Sequence, residues 1–141
     1  MSRFVYPDDL IRRVLNDSRV IAMVGASPDP ARPSNSVLRF LIGHGHTVYP
    51  VNPTCAGRAI HGRTVLADLD SVPEPVDMVD IFRRSEAAGV VVDDAIRIGA
   101  KVAWMQLGVI DEAAALRGEA AGLTVIMDRC PAIEYRRLGM A

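Results

Sequence analysis

Residues 20–53 read VIAMVGASPDPARPSNSVLRFLIGHGHTVYPVNP, and the pattern in this stretch decides the fold. Val20–Val24 is a continuous apolar run that ends in glycine, which is typical of a parallel strand buried on both faces. A predicted helix follows, capped by Ser34 and stopped by Gly43, and Thr47–Val51 is predicted to form a second strand. Strand, glycine loop, helix and strand make the first half of a nucleotide-binding α/β domain. The loop offers free backbone N–H groups at a helix start, where phosphate is held.

The rest of the chain continues this alternation of strands and helices. Predicted helices cover residues 8–16, 85–98 and 111–121, and predicted strands cover residues 76–82, 102–105 and 125–127, with a short edge strand near residues 64–66. The alternation predicts a three-layer, Rossmann-like α/β fold, in which a parallel sheet of about five strands carries helices on both faces. We expect one domain over residues 1–141, with residues 1–18 forming a helical extension packed on it.

Composition restricts the class of protein. The 141 residues are 50% apolar and 23% charged, with a net charge of −1, which fits a globular domain and argues against general nucleic-acid binding. No apolar run approaches the roughly 20 residues that a membrane-spanning helix needs. The N-terminal residues MSRFVYPDDLIRR lack the apolar segment of a signal peptide, and two cysteines are too few for a disulfide framework. These features predict a cytoplasmic protein that has no membrane or nucleic-acid partner.

The charge is distributed unevenly along the chain. Residues 30–67 contain no Asp or Glu, four arginines and all three histidines, so this stretch carries +4 and the remainder carries −5. The acid-free stretch overlaps the loop that is predicted to hold phosphate. A polyanionic ligand is therefore favoured.

The crossover rule brings the predicted loops together. In a parallel sheet with right-handed crossovers, the loops that follow the strands meet at one edge, where ligands bind. The segments expected at this edge are Gly25–Ser27, Asn52-Pro53, Phe82-Arg83 and Gln106–Gly108.

The end of the second strand limits the choice of nucleotide. A nicotinamide dinucleotide site normally has the motif Gly-x-Gly-x-x-Gly and a carboxylate that accepts hydrogen bonds from the ribose hydroxyls. This chain has neither, since Asn52 stands at that point. Neutral and cationic groups there would suit a phosphorylated ribose. The pattern excludes plain NAD and leaves coenzyme A and NADP open.

Five strings carry a more specific resemblance: VGASPDPARPSNSV, VYPVNP with the following AG and IHG, PVDMVDIFR, GAKVAWMQLGV and GLTVIMDRCP. With these strings the chain resembles stand-alone CoA-binding proteins. That group is related to the CoA-binding domains of the succinyl-CoA synthetase α subunit and of ADP-forming acyl-CoA synthetases. The resemblance implies that coenzyme A or an acyl-CoA is the cofactor.

The resemblance also implies a set of site residues. Those around the pyrophosphate would be Gly25, Ala26, Ser27, Arg32, Pro33, Ser34, Asn35 and Ser36. Asn52 and Pro53 would lie beside the adenosine. Phe82 and Arg83 would line the adenine and pantetheine side, with Gln106, Leu107 and Gly108 near the pantetheine arm. The chain contains no counterpart of the synthetases' phosphohistidine domain, so the resemblance implies CoA binding without acyl-CoA synthesis.

Several arginine, histidine and cysteine residues outside these segments are further candidates for ligand, metal or thiol chemistry. Arg58 and Arg63 are possible ligands of the 3′-phosphate. His44 and His46 lack a third ligand in the sequence around them, so we predict no metal site. Cys130 follows Arg129 at the ligand edge; it is either a core residue or a thiol that forms a mixed disulfide with CoA.

The sequence contains no catalytic constellation, and we predict a binding protein that is not itself an enzyme. Two alternatives stay open. One is an NADP-dependent or partner-completed enzyme, either an oxidoreductase or an acyl-CoA synthetase subunit. The other is a nucleotide-sensing regulator. A homo-oligomer or a complex with a protein partner is compatible with all of these.

Overall fold

The computed structural model describes residues 5–141. The strands are β1 (Val20–Val24), β2 (Thr47–Val51), β3 (Ala59–Ile60), β4 (Arg63–Thr64), β5 (Met78–Ile81), β6 (Val102–Met105) and β7 (Thr124–Ile126). The helices are α1 (Asp8–Asp17), α2 (Pro33–Gly43), α3 (Ser85–Arg97), α4 (Glu112–Ala120) and α5 (Pro131–Arg137), with 3₁₀ turns at Pro53–Cys55 and Leu69–Ser71. Within these described residues, no helix is long and apolar enough to cross a membrane.

Five strands form one parallel sheet in the order β2-β1-β5-β6-β7. Successive residues of the buried strands face opposite sides, so each face has its own apolar core. Met23 and Trp104 belong to the core that includes residues of α1, α2 and α5. Ala22 and Met105 belong to the other core, which includes residues of α3 and α4. The predicted three-layer α/β fold is confirmed.

The predicted bounds agree closely where the apolar pattern is strong. β1, β2 and β6 have the predicted limits, whereas the predicted strand over residues 76–82 is shortened to β5. The predicted edge strand near residues 64–66 was only partly correct. The structure has an antiparallel hairpin of β3 and β4 there, and Leu66 forms a parallel bridge with Val51. Helix α5 was not predicted.

The predicted capping role of Ser34 was wrong. Helix α2 begins at Pro33 with Arg32 as its N-cap, because proline already has the helical φ angle and lacks an N–H group to satisfy. The Ser34 hydroxyl instead accepts a hydrogen bond of 3.1 Å from the backbone N–H of Ser27. The side chain therefore fixes the preceding loop.

The predicted N-terminal extension, residues 1–18, includes four residues that lie outside the described range. Helix α1 buries Ile11, Val14 and Leu15 in the same core as α2 and α5. A buried histidine links these elements: His46 Nδ1 lies 2.6 Å from the carbonyl oxygen of Ser18, and Nε2 lies 2.7 Å from the Tyr135 hydroxyl. Since Tyr135 lies on α5, this network helps to position that helix.

An acidic residue lies in the centre of the sheet. Asp80 of β5 pairs with Met23 of β1 and Trp104 of β6, and it is completely buried. Neither carboxylate oxygen has a hydrogen-bond partner among the described residues. Desolvation raises the pKa of Asp80 well above its ordinary value. The folded protein therefore favours the neutral acid.

We predict that Asp80→Asn stabilises the protein at neutral pH. A folded-state pKa above the unfolded value means that stability falls as pH rises from the ordinary carboxyl range, near 3.9, toward the raised pKa. The variant removes this loss, so its advantage should grow by up to about 1.4 kcal/mol per pH unit in that window. Urea unfolding from pH 3.5 to 8 measures it. An advantage that does not change with pH would contradict the prediction.

We predict the opposite dependence for His46. Burial is the main cause that lowers the pKa of His46, so the unfolded chain takes up a proton that the folded protein resists. The free energy of unfolding should therefore decline as pH falls below about 6.5. His46→Gln should flatten this decline and cost about 1–3 kcal/mol at pH 7.5, because buried partners are left unpaired. Urea unfolding at pH 5.5 and 7.5 tests it, and an unchanged pH slope would refute it.

Candidate functional site

An open cleft of about 820 Å³ lies at the carboxyl ends of the sheet strands. The loops after β1, β2, β5, β6 and β7 contribute to its lining, together with residues of α2 and α5. The chain leaves β1 toward β2 on one side and later returns to β5 on the other side, so β1 and β5 flank the topological switch point. Such a point is where open α/β sheets bind ligands.

Glycine is required where the two central loops meet. Gly25 has a φ of +88°, and a Cβ at this position would lie 2.1 Å from the carbonyl oxygen of Phe82. A side chain would push the loop after β1 away from the loop after β5. Gly25 thus lets the loop after β1 lie directly against the loop after β5.

Twelve of the fifteen predicted site residues line this cleft. They are Gly25, Ser27, Arg32, Pro33, Ser34, Ser36, Asn52, Phe82, Arg83, Gln106, Leu107 and Gly108. The structure therefore brings together segments from four loops that are distant in sequence. Their contact with a ligand stays a prediction.

The other three predicted residues do not line the cleft. Ala26 is fully buried, and its carbonyl oxygen accepts a hydrogen bond of 2.9 Å from Asn52 Nδ2. Asn35 is buried, and its Nδ2 donates to the carbonyl oxygen of Ser27. Pro53 lines a neighbouring pocket of about 310 Å³, which shares Arg83 with the main cleft. Ala26 and Asn35 therefore hold the loop, whereas Pro53 belongs to an adjoining space.

Side chains fix the loop between β1 and α2. The Ser27 hydroxyl accepts from the N–H of Asp29 at 3.1 Å, and the Asp29 carboxylate accepts from the N–H of Ala31 at 2.9 Å. These bonds add to those that Ser34 and Asn35 make with Ser27. The loop is thereby held in one shape before any ligand arrives.

The start of α2 is electrostatically open to an anion. Its N-cap residue, Arg32, makes no side-chain capping bond, and the first turn contains no acidic residue. Helix N-terminal N–H groups and the helix dipole favour negative charge. Arg32, Arg83, Arg84 and Arg136 line the cleft, whereas none of its described lining residues is an Asp or Glu. The rim is therefore cationic.

One wall of the cleft is apolar. Val37 and Phe40 of α2 line it, as do Val109 after β6 and Ala132 and Ile133 of α5. Cys130, the N-cap of α5, also lines the cleft and is buried. Ala132 and Ile133 were missed because α5 was not predicted; Pro131 directly after an extended residue was the available signal.

Asn52 and Gln106 have different hydrogen-bonding environments. Asn52 is engaged by the protein: its Oδ1 accepts from the N–H of Thr54 at 3.0 Å, and its Nδ2 donates to Ala26. Gln106 is only 5% exposed, and its Oε1 is buried without a hydrogen-bond partner among residues 5–141. Because Oε1 is closed off from the cleft, it would meet a ligand donor only after the Gln106 side chain turned toward the cleft.

Several other candidates do not line the cleft. Arg58 and Arg63 do not line it. His44 stacks on Phe40 with ring centroids 4.1 Å apart, and His46 belongs to the buried network with Tyr135. No cluster of three or more metal-ligating side chains occurs in the described part of the chain.

Comparison with known proteins places these features in a family. The CoA binding domain family matches residues 19–136. A curated relative, the uncharacterized protein YneT of Bacillus subtilis (strain 168), is 37% identical over 120 residues, which cover 85% of this chain and 87% of YneT.

Two solved structures extend the comparison. A hypothetical protein from Pyrococcus horikoshii OT3 has 35% identity and a TM-score of 0.91, over 98% of this chain and 96% of that one. The apo form of the dinucleotide forming acetyl-coenzyme A synthetase 1 of Ca. Korarchaeum cryptofilum has 30% identity and a TM-score of 0.68. That match covers 82% of this chain and 27% of the synthetase chain. The match over residues 19–136 means that this chain belongs to the CoA-binding domain family.

Proposed function

We propose that this protein binds coenzyme A or an acyl-CoA in the main cleft, in the cytoplasm, without catalysis of its own. One observation carries the proposal: the cleft at the switch point of the sheet contains the start of α2, which has no side-chain cap, and is lined by four arginines and by no described acidic residue. Membership of the CoA-binding domain family agrees with it.

The pyrophosphate is assigned to the loop and helix start. Gly25–Ser27 and Arg32–Ser36 surround the position where the helix dipole favours an anion. Arg32 adds a guanidinium group that can form charge-assisted hydrogen bonds with phosphate oxygens. Ala26 and Asn35 act here by supporting the loop, as their internal hydrogen bonds indicate.

The adenosine is assigned to the β2 end of the cleft. Pro53 lines the adjoining pocket of about 310 Å³, and Arg83 lines both this pocket and the main cleft. Arg83 is thus suited to the 3′-phosphate, which the ribose of the adenosine carries beside its 5′-pyrophosphate. With Arg58 and Arg63 outside the cleft lining, Arg83 is our preferred candidate for this contact.

The pantetheine arm is assigned to the β6 end, along Gln106–Gly108. Rotation of the Gln106 side chain toward the cleft would bring its unpartnered Oε1 to the pantetheine arm, whose two amide N–H groups are donors. Two hydrogen bonds fix the backbone of the loop after β6. The N–H of Gly108 donates to Asp128 Oδ1 at 2.7 Å, and the N–H of Ile110 donates to the Ser85 hydroxyl at 3.0 Å.

The main rival ligand is NADP, because the same arginines would suit its 2′-phosphate. An enzyme completed by a partner chain, or a nucleotide-sensing regulator, would use the same cleft. The apolar wall favours pantetheine over the polar nicotinamide ribose. We therefore prefer a single CoA-binding domain, and its self-association or protein partner is a separate question.

Titration calorimetry with CoA, dephospho-CoA, NADP and NAD tests the ligand. We expect CoA to bind most tightly, and removal of its 3′-phosphate to weaken binding roughly tenfold or more, because a charge-assisted hydrogen bond is lost. NAD should bind weakest, since no carboxylate is present to accept from its ribose hydroxyls. Tighter binding of NADP than of CoA would contradict the proposal.

The phosphate contact is tested with Arg32→Gln. Arg32 is exposed and makes no capping bond, so the substitution should leave the fold intact. We expect CoA binding to weaken by roughly 1.5–3 kcal/mol, measured by calorimetry, because the guanidinium contact is removed. Arg39→Gln is the matched control, since Arg39 is an exposed residue of α2 that does not line the main cleft. Equal affinities of the two variants would assign the contact elsewhere.

A further inference from the structure

We infer that the preferred ligand is an acyl-CoA with an uncharged, apolar acyl group of several carbons, which lies against the apolar wall between the β6 loop and α5. This inference rests on the proposed function and names the class of thioester that the site takes. Its basis is the position of the wall relative to the phosphate site and the exposure of the wall's aliphatic side chains.

The strand order gives the ligand a direction. In the order β2-β1-β5-β6-β7, the loop after β2 lies at one end and the loop after β7 at the other. The phosphate site lies at the start of α2, which follows β1. With the adenosine toward β2, the pantetheine arm must run past β5 toward β6 and β7. The thiol end of CoA therefore arrives at the wall formed by the last two loops and α5.

The side chains at that end are aliphatic. Val109 and Ala132 are buried, whereas Leu107 is 55% exposed and Ile133 is 45% exposed, and all four line the cleft. Leu107 and Ile133 therefore expose apolar surface to water next to the buried side chains of Val109 and Ala132. A free thiol would cover little of it. An acyl chain attached at the thiol would remove this surface from water.

Three charged groups lie near the wall. The guanidinium of Arg136 lies 4.9 Å from the centroid of the Phe40 ring, and Asp128 accepts from the N–H of Gly108. Arg84 lies 3.9 Å from the carboxylate of Glu86. The aliphatic side chains of the wall, rather than these contacts, favour a methyl-terminated acyl group over a carboxylate-terminated one. Succinyl-CoA and butyryl-CoA, which have acyl groups of the same length, separate the two cases.

The test is calorimetry with CoA, acetyl-CoA, butyryl-CoA, hexanoyl-CoA and octanoyl-CoA. Burial of each methylene should tighten binding about two- to fourfold until the wall is covered. Butyryl-CoA should bind more tightly than succinyl-CoA. A flat series, or tighter binding of succinyl-CoA, would overturn the inference and leave CoA binding intact. Failure of every ligand, CoA included, would remove the proposed function and this inference with it.

A variant pair locates the acyl group. Ile133→Ser should reduce the ratio of hexanoyl-CoA affinity to CoA affinity at least threefold, because an exposed part of the wall becomes polar. Leu116→Ser is the control, since Leu116 is 57% exposed on α4 and does not line the cleft; its ratio should equal that of the wild type. An unchanged ratio in Ile133→Ser would refute the assignment. A second result would also refute it: a flat ligand series combined with a concentration-dependent dimer, seen in sedimentation, that Ile133→Ser abolishes. The wall would then be an interface between copies of the chain.

Discussion

The close approach of three loops at the centre of the sheet is the constraint on which the site depends. The N–H of Gly25 donates to the carbonyl oxygen of Val51 at 2.9 Å, and the N–H of Phe82 donates to the carbonyl oxygen of Val24 at 2.8 Å. These bonds extend the sheet pairing one step beyond the strand ends. Because Gly25 has no side chain, the Phe82 carbonyl can lie where a Cβ would otherwise be. The start of α2 and Arg83 are thereby brought to the same rim.

The sequence predicted those parts of the fold that depend on local pattern. The bounds of β1, β2 and β6 were predicted correctly because buried parallel strands are short apolar runs bounded by glycine, asparagine or polar residues. Helix α5 was missed because its seven residues are too few to show a helical period. Its position depends on contacts with distant elements, such as the bond between His46 and Tyr135, that no local pattern records.

For the candidate site, too, sequence pattern predicted the segments but not the contacts of individual side chains. Motif resemblance and the crossover rule identified the loops, and twelve of the fifteen residues line one cleft. They could not distinguish a residue that faces the cleft from one that supports the loop behind it. Ala26 and Asn35 lie among lining residues in the sequence, yet their polar atoms bond to the protein. That difference is decided by the direction of single side chains in a tight loop, which sequence spacing does not specify.

The two ends of the cleft differ in chemistry, and the sheet order determines which end is which. Around the start of α2 and the loop after β5, Arg32, Arg83 and Arg84 line the cleft and no described lining residue is acidic, so a phosphorylated group is favoured there. At the first turn of α5 the lining is aliphatic, with Arg136 lying further along the helix over the Phe40 ring. Asp128, in the loop after β7, accepts a hydrogen bond from the N–H of Gly108. A ligand whose phosphates all lie toward one end and whose other end is apolar satisfies both regions at once. A dinucleotide with a polar group at each end would leave the aliphatic wall exposed to water or covered by polar atoms. The polarity of the cleft thus favours an acylated pantetheine arm on physical grounds that are independent of the family match.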